Sequence, residues 1–241
     1  SPLPRPSHPG RSCPTASRYH PVPCLARLPP LVSAASTEVA LRQCTCGRRY
    51  DPYLPADAAR HRDQHAEWES GIRVPQLPEN RVLAHWGGTD VLLVTNESSV
   101  MQRELAARVA ERARLDTPFS TPAYTVEDTD ENFRIFLARA ADRAVGLAVL
   151  RPRVRWGWWS WDDFDAELRP STPVAPLPSW TVELILALPR AQQQGLARRL
   201  LDVAAQTVDQ PISSFGWRRP FTPSGEAFVR RACPVGFWVP D

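Results

Sequence analysis

Lysine is absent from this chain of 241 residues, so all 29 basic residues are arginine. That bias is the signature of a GC-rich coding sequence and points to a bacterial source. No apolar run approaches the length of a membrane span, which excludes a helical membrane protein. No charged-then-apolar leader opens the chain, so a secretory route is not expected and the cytoplasm is the expected location. The net charge is only +3. It lacks the concentrated basic stripe of nucleic-acid binders, so duplex binding by one small module is not expected. Five cysteines, an odd number, argue against a secreted disulfide framework and suit a reducing compartment with metal.

What is present divides the chain in three. Residues 1–36 are rich in Pro, Arg and Ser and carry no apolar period, and they read as a disordered leader. Residues 37–68 fit a small ββα finger, with a short strand, a Cys-Gly turn and a helix starting near Pro55. Residues 69–241 read as an α/β domain. It opens with a hairpin, Arg81 to Trp86 and Val91 to Thr95, around Gly87-Gly88-Thr89-Asp90. A helix follows on the spacing of Val100, Leu105, Val109 and Ala113, with Glu104 and Arg108 expected to pair on its surface. Strands are expected over Phe133 to Ala138, Ala144 to Val154 and Thr181 to Leu188, and a helix over Leu196 to Val208. The tryptophan-rich run from Trp156 to Trp161 reads, with the Pro-rich segment to Ser179, as an inserted loop. It is expected to pack as a core or lid, with a substrate-facing platform as the other reading.

Two stretches carry chemistry. His61 and His65 lie four apart on the finger helix, so both imidazoles leave one face and can meet one ion. Cys46 precedes Gly47, which suits a metal knuckle, and Cys44 stands beside it. Cys44, Cys46, His61 and His65 are therefore the expected ligands of a structural Zn2+. Four protein ligands leave no open position, so such an ion stabilises and does not catalyse. The alternative is a helix with surface histidines near two free thiols. Further on, Gln192-Gln193-Gln194-Gly195-Leu196-Ala197 joins a strand to a helix N-terminus. A glycine there exposes backbone N–H groups at the positive end of the helix dipole, which suits phosphate. An ordinary polar turn with a glycine cap is the competing reading.

The spacing Gln-x-x-Gly-x-Ala resembles the pyrophosphate loop of the GCN5-related N-acetyltransferases. Three motifs in order refine the resemblance: Cys44-Thr45-Cys46-Gly47 with His61 and His65, then this loop, then Thr222-Pro223-Ser224-Gly225-Glu226-Ala227-Phe228. Together they resemble the zinc-finger acetyltransferases of sister-chromatid cohesion. The resemblance implies a mixed, mostly antiparallel α/β (α+β) fold with a finger before it. It also implies acetyl-CoA as cosubstrate and a primary amine as acceptor, a protein lysine foremost. Leu186, Ala187 and Leu188 would hold the pantetheine arm through their backbone, and Gln192 to Ala197 would take the pyrophosphate.

Acetyl transfer to an amine needs a group to take the ammonium proton. Glu183 is one candidate, because a charge within Val182, Leu184 and Ile185 is costly unless something uses it. Asp202 is the other, since it falls where the resembled family carries an acidic residue. The chain departs from that family in two places. Gln43 stands where the first cysteine of a Cys-x-x-Cys would be, and Arg219-Pro220 stand in place of a Ser-Asp pair. Arg218 and Arg219 would favour an acidic or phosphate-bearing ligand. A degenerate acyl-CoA-binding or partner-binding protein with a zinc finger is the alternative function. Either way, a lysine-free enzyme of this kind cannot acetylate its own side chains.

Overall fold

The computed structural model describes residues 41–75, 81–114, 123–128, 132–154, 156–171 and 180–240. The leader over 1–36, the first residues of the finger and the end of the Pro-rich segment before Ser179 lie outside these. Two short strands open the described chain, β1 (Arg42–Gln43) and β2 (Arg49–Tyr50), paired antiparallel. Helix α1 (Pro55–Ser70) follows, with Pro55 at its first turn, where a missing N–H costs nothing. Asp57 reaches back from that turn to accept from the Asp51 N–H at 2.7 Å, which fixes the entry of the helix.

Strand β3 (Ile72–Arg73) carries the chain from the finger directly into the main sheet, where it pairs with the start of β7 (Arg143–Pro152). The hairpin β4 (Val82–Trp86) and β5 (Thr89–Val94) turns on Gly87-Gly88. Helix α2 (Val100–Arg114) follows, then β6 (Arg134–Ala140) and β7 as an antiparallel pair. Next come β8 (Trp156–Ser160), the short α3 (Trp161–Asp165) and β9 (Trp180–Ala187). Helix α4 (Leu196–Val208), β10 (Gly216–Trp217), α5 (Pro223–Ala232) and β11 (Gly236–Pro240) complete the chain. Among the described residues the sheet runs β4-β5-β6-β7-β9-β10-β11-β8, with β9-β10 and β10-β11 parallel and its other pairs antiparallel.

The central strands β5, β6, β7 and β9 bury residues on both faces, so they read as continuous apolar runs rather than alternations. In β5, Val91 and Leu93 join the core beneath α4 and α5, while Leu92 and Val94 join the core beneath α2. Helix α4 sets Leu196, Leu200, Leu201 and Ala204 against the sheet. Each fully buried leucine there contributes about 2 kcal/mol of transfer free energy.

Two expectations need correction. The tryptophan run is not a loop: Trp156 to Ser160 form an edge strand antiparallel to β11, and Trp156, Trp159 and Trp161 are buried. Strand β11, far along the sequence, supplies the partner that local pattern could not announce. Arg108 does not pair with Glu104 on its own helix. Its guanidinium instead donates to Glu67 of α1 at 3.1 Å, tying the finger to α2.

Candidate active site and metal centre

The finger brings its four expected ligands together. The donor atoms of Cys44, Cys46, His61 and His65 all lie within 4.8 Å of one another. Cys44 Sγ is 3.3 Å from His65 Nδ1, and Cys46 Sγ is 3.5 Å from His61 Nε2. A tetrahedral zinc with ordinary S and N bond lengths gives S···N edges of about 3.6 Å. The donor set therefore fits the ion, with a small closure of the longer separations. Gly47 turns at φ 79°, and its N–H donates to the Cys44 carbonyl at 3.0 Å, which swings Cys44 into reach despite its late position. Cys44 is held as a thiolate more readily than usual, its pKa lowered to about 6, chiefly by a hydrogen bond from the Cys46 backbone.

The imidazoles are oriented by their neighbours. His65 Nε2 meets Glu69 Oε1 at 3.1 Å, which leaves Nδ1 to face the metal position. Tyr50 and Trp68 lie against the ligand rings, Tyr50 on His61 and Trp68 beside His65. Arg112, buried in α2, donates to the Cys46 carbonyl at 3.4 Å.

The second centre lies where β9 and β10 part. These parallel strands pair only at Thr181 and Val182, with a last bond from the Arg218 N–H to the Val182 carbonyl at 3.0 Å. Beyond Val182 no described strand covers the β10 side of β9, so Leu184 to Ala187 present a strand edge to a wedge-shaped opening. Thr222 and Gly225, at the start of α5, line the same opening. Thr222 caps that helix, accepting from the Gly225 N–H at 3.1 Å, while Phe228 is half-buried against Trp217.

Glu183 sits at the apex of the wedge. The β7-β9 register pairs Val149 with Leu184 and Leu150 with Val182, so Glu183 is the extra residue of a β-bulge. Its side chain is 1% exposed. Oε1 accepts from Arg153 Nε at 2.9 Å and Nη2 at 2.6 Å, and Oε2 accepts from Arg218 Nη1 at 3.3 Å. These partners stand 30 and 35 residues away in sequence, and sequence reasoning missed Arg153 altogether. The only hint was the isolated charge of Glu183 itself. Arg218 is thus a partner of Glu183 rather than a bare anion site, and Arg219 lies over Trp159 and Phe164.

Asp202 is not part of this arrangement. It is half-exposed on α4, accepts from Arg198 one turn earlier at 3.0 Å, and lines a separate depression with Ala205, Gln206 and Ser213. The placement came from resemblance alone, and the helix register turns the carboxylate away from the wedge.

The turn after β9 leaves the N-terminus of α4 open. Leu188 is buried, a 3-10 turn covers Pro189 to Ala191, and Gln192 to Gly195 are exposed. Gln192 and Gln194 donate to the carbonyls of Ala187 and Arg190, stiffening the turn. Gly195 caps α4 at φ 77° with no side-chain cap bond, and a Cβ placed there would meet nothing within 4 Å. Leu196 is buried beneath the helix and Ala197 is half-buried beside its open end. Left-handed backbone, an uncapped N-terminus and open space fit a bound pyrophosphate.

This mixed α/β fold, in which the sheet splays at a bulged strand that feeds a glycine-capped helix, is one shared with a solved acetyltransferase domain. Among solved structures, the xEco2 acetyltransferase domain bound to a CoA conjugate is similar, with a TM-score of 0.54 at 15% identity over 68% of this chain and 98% of that one. A second structure of the xEco2 acetyltransferase domain gives a TM-score of 0.49 at 15% identity, over 69% of this chain and 98% of that one. No protein-family model and no curated protein matches the chain. Among the described residues, no helix is long and apolar enough to cross a membrane.

Proposed function

We propose that this chain is an acetyl-CoA-dependent N-acetyltransferase acting on a primary amine, a protein lysine foremost, with a structural zinc in its finger. One observation carries the reading: the wedge between β9 and β10 has a bulged, buried carboxylate at its apex and an uncapped helix N-terminus at its mouth. Acetyl-CoA in that wedge would supply an activated thioester. The edge of β9 at Leu186 and Ala187 would hold the pantetheine arm, and the backbone from Gln192 to Ala197 the pyrophosphate; Leu188, expected beside them, is buried past the end of β9 with its N–H donated to the Val145 carbonyl at 2.8 Å. Glu183 lines both the wedge and the open cleft beside it. It is therefore the group we assign to take the proton of the incoming ammonium, directly or through one water, as an acceptor amine displaces a guanidinium contact.

The same clamp favours a second reading. A carboxylate engaged by two arginines can be a purely structural hub, and the chain would then bind an acyl-CoA without turning it over. Release of free CoA thiol separates the two. Purified protein given acetyl-CoA and a panel of lysine peptides and small amines releases thiol if the first reading holds. Acetyl-CoA binding without release from any amine would leave the second.

A further inference from the structure

A cleft of about 690 Å3 adjoins the wedge at Glu183 and Arg218, its walls formed by Arg153, Trp156, Trp159 and Arg219. We propose that this cleft receives the acceptor and selects one that bears a carboxylate beside its reactive amine, read by Arg153 and Arg219. The proposal rests on the acetyltransferase reading of the wedge and names the substrate class of that site.

Charge is the first argument. Among the described lining residues, three guanidiniums face one carboxylate, so two positive charges are in excess. An ammonium entering alone would be repelled, whereas an ammonium with a neighbouring carboxylate arrives compensated.

Donor accounting is the second. Arg153 spends Nε and Nη2 on Glu183, and its Nη1 has no acceptor among the described residues. Arg219 forms no ion pair or hydrogen bond among them. Its guanidinium carbon lies 4.2 Å from the Trp159 ring centroid and 4.9 Å from that of Phe164. Stacking fixes the plane of the guanidinium while its N–H edges stay available, which is the presentation that suits bidentate carboxylate recognition.

Placement is the third. Because Arg153 binds Glu183 and also lines the cleft, a carboxylate held by Arg153 and Arg219 sets a nearby amine against the apex of the wedge. The arrangement also gives Arg153 an alternative anion, which loosens its hold on Glu183 as the ammonium arrives.

The test compares a lysine peptide flanked by Asp with its Asn counterpart, and Nα-acetyl-lysine with Nα-acetyl-lysinamide. The first pair offers the carboxylate from a peptide side chain, the second from a free amino acid. Both CoA thiol release and calorimetric binding are read at low and high salt. Within at least one pair, the acidic member should show kcat/KM and affinity higher by about tenfold, with the advantage shrinking as salt rises. Arg219→Gln should erase that advantage and Arg219→Glu reverse it, while exposed Arg219 leaves melting near wild type. Equal binding and reaction of acidic and neutral members overturns the proposal, as does a preference that survives Arg219→Gln. If no amine releases thiol but the acidic members still bind in an Arg219-dependent way, the turnover reading fails and the cleft assignment stands.

Discussion

The ring of Tyr50 lies flat on the imidazole of His61, with centroids 3.8 Å apart and planes 4° from parallel. This stack holds His61 with Nε2 toward Cys46, so an aromatic residue on β2 sets the aim of a ligand on α1. Tyr50→Ala should weaken zinc affinity by about tenfold or more without removing a ligand, as loss of orienting neighbours does elsewhere. Competition with a colorimetric chelator measures it, and unchanged affinity would make the stack mere packing.

Zinc should copurify at about one ion per chain, and Cys46→Ser or His61→Ala should release it and lower the melting temperature. Cys44→Ser should do the same, because Gly47 places that thiol against His65. Elemental analysis with thermal melting decides. In metal-free protein, the Cys44 thiolate contribution is complete above the ordinary thiol value of 9.0 and is lost as pH falls through about 6. Alkylation of Cys44 followed against pH should show that midpoint.

Gly195→Glu should abolish the rise in melting temperature that acetyl-CoA gives wild type. It places a side chain and a negative charge at the open end of α4 and strains a left-handed residue. Undiminished calorimetric binding by this variant would place the cofactor elsewhere.

Glu183→Gln should lower turnover by about 10²-fold while acetyl-CoA affinity hardly changes, and its rate should climb with pH as the amine deprotonates unaided. Because the carboxylate is buried between two arginines, melting must be followed alongside. Asp202→Asn should leave turnover within about twofold of wild type, as befits a surface pair. The opposite pattern would move the base to α4.

Asp90 accepts from Arg139 and, at 2.7 Å, from His85. The Arg139 hydrogen bond comes first and that to His85 second among the causes that depress its pKa. A depressed carboxylate contributes stability above its unfolded pKa near 3.9 and loses it as pH falls through the lower folded value. Asp90→Asn should therefore cost about 0.5 kcal/mol at neutral pH, and nothing once the solution is acid enough to protonate Asp90 in both states. Melting curves of the two proteins against pH would show the gap closing.

Local signals were legible where chain-neighbour physics dominates. Helix α4 begins and ends at the residues its apolar spacing and Gly195 indicate, and the β4-β5 hairpin turns on its glycines. The four finger donors could be named because their spacing is itself the geometry. What escaped depends on partners distant in sequence. Trp156 to Ser160 are a strand only because Gly236 to Pro240 lie beside them. The clamp on Glu183 needs Arg153 and Arg218, which a single charged residue in an apolar strand cannot name. Asp202 was placed by analogy, and no local physics held it to the site.

Strand β11 comes after every other strand in the chain, yet it lies inside the sheet between β10 and β8. During synthesis β8 is made far earlier, and its edge toward β11 must wait unpaired until residues 236–240 have left the ribosome. Until then the tryptophans of β8 lack the cover of β11 in the nascent chain, and in that interval they are a natural target of a chaperone. Closure of this edge also completes the wall of the cleft beside Glu183, which Val239 and Pro240 line.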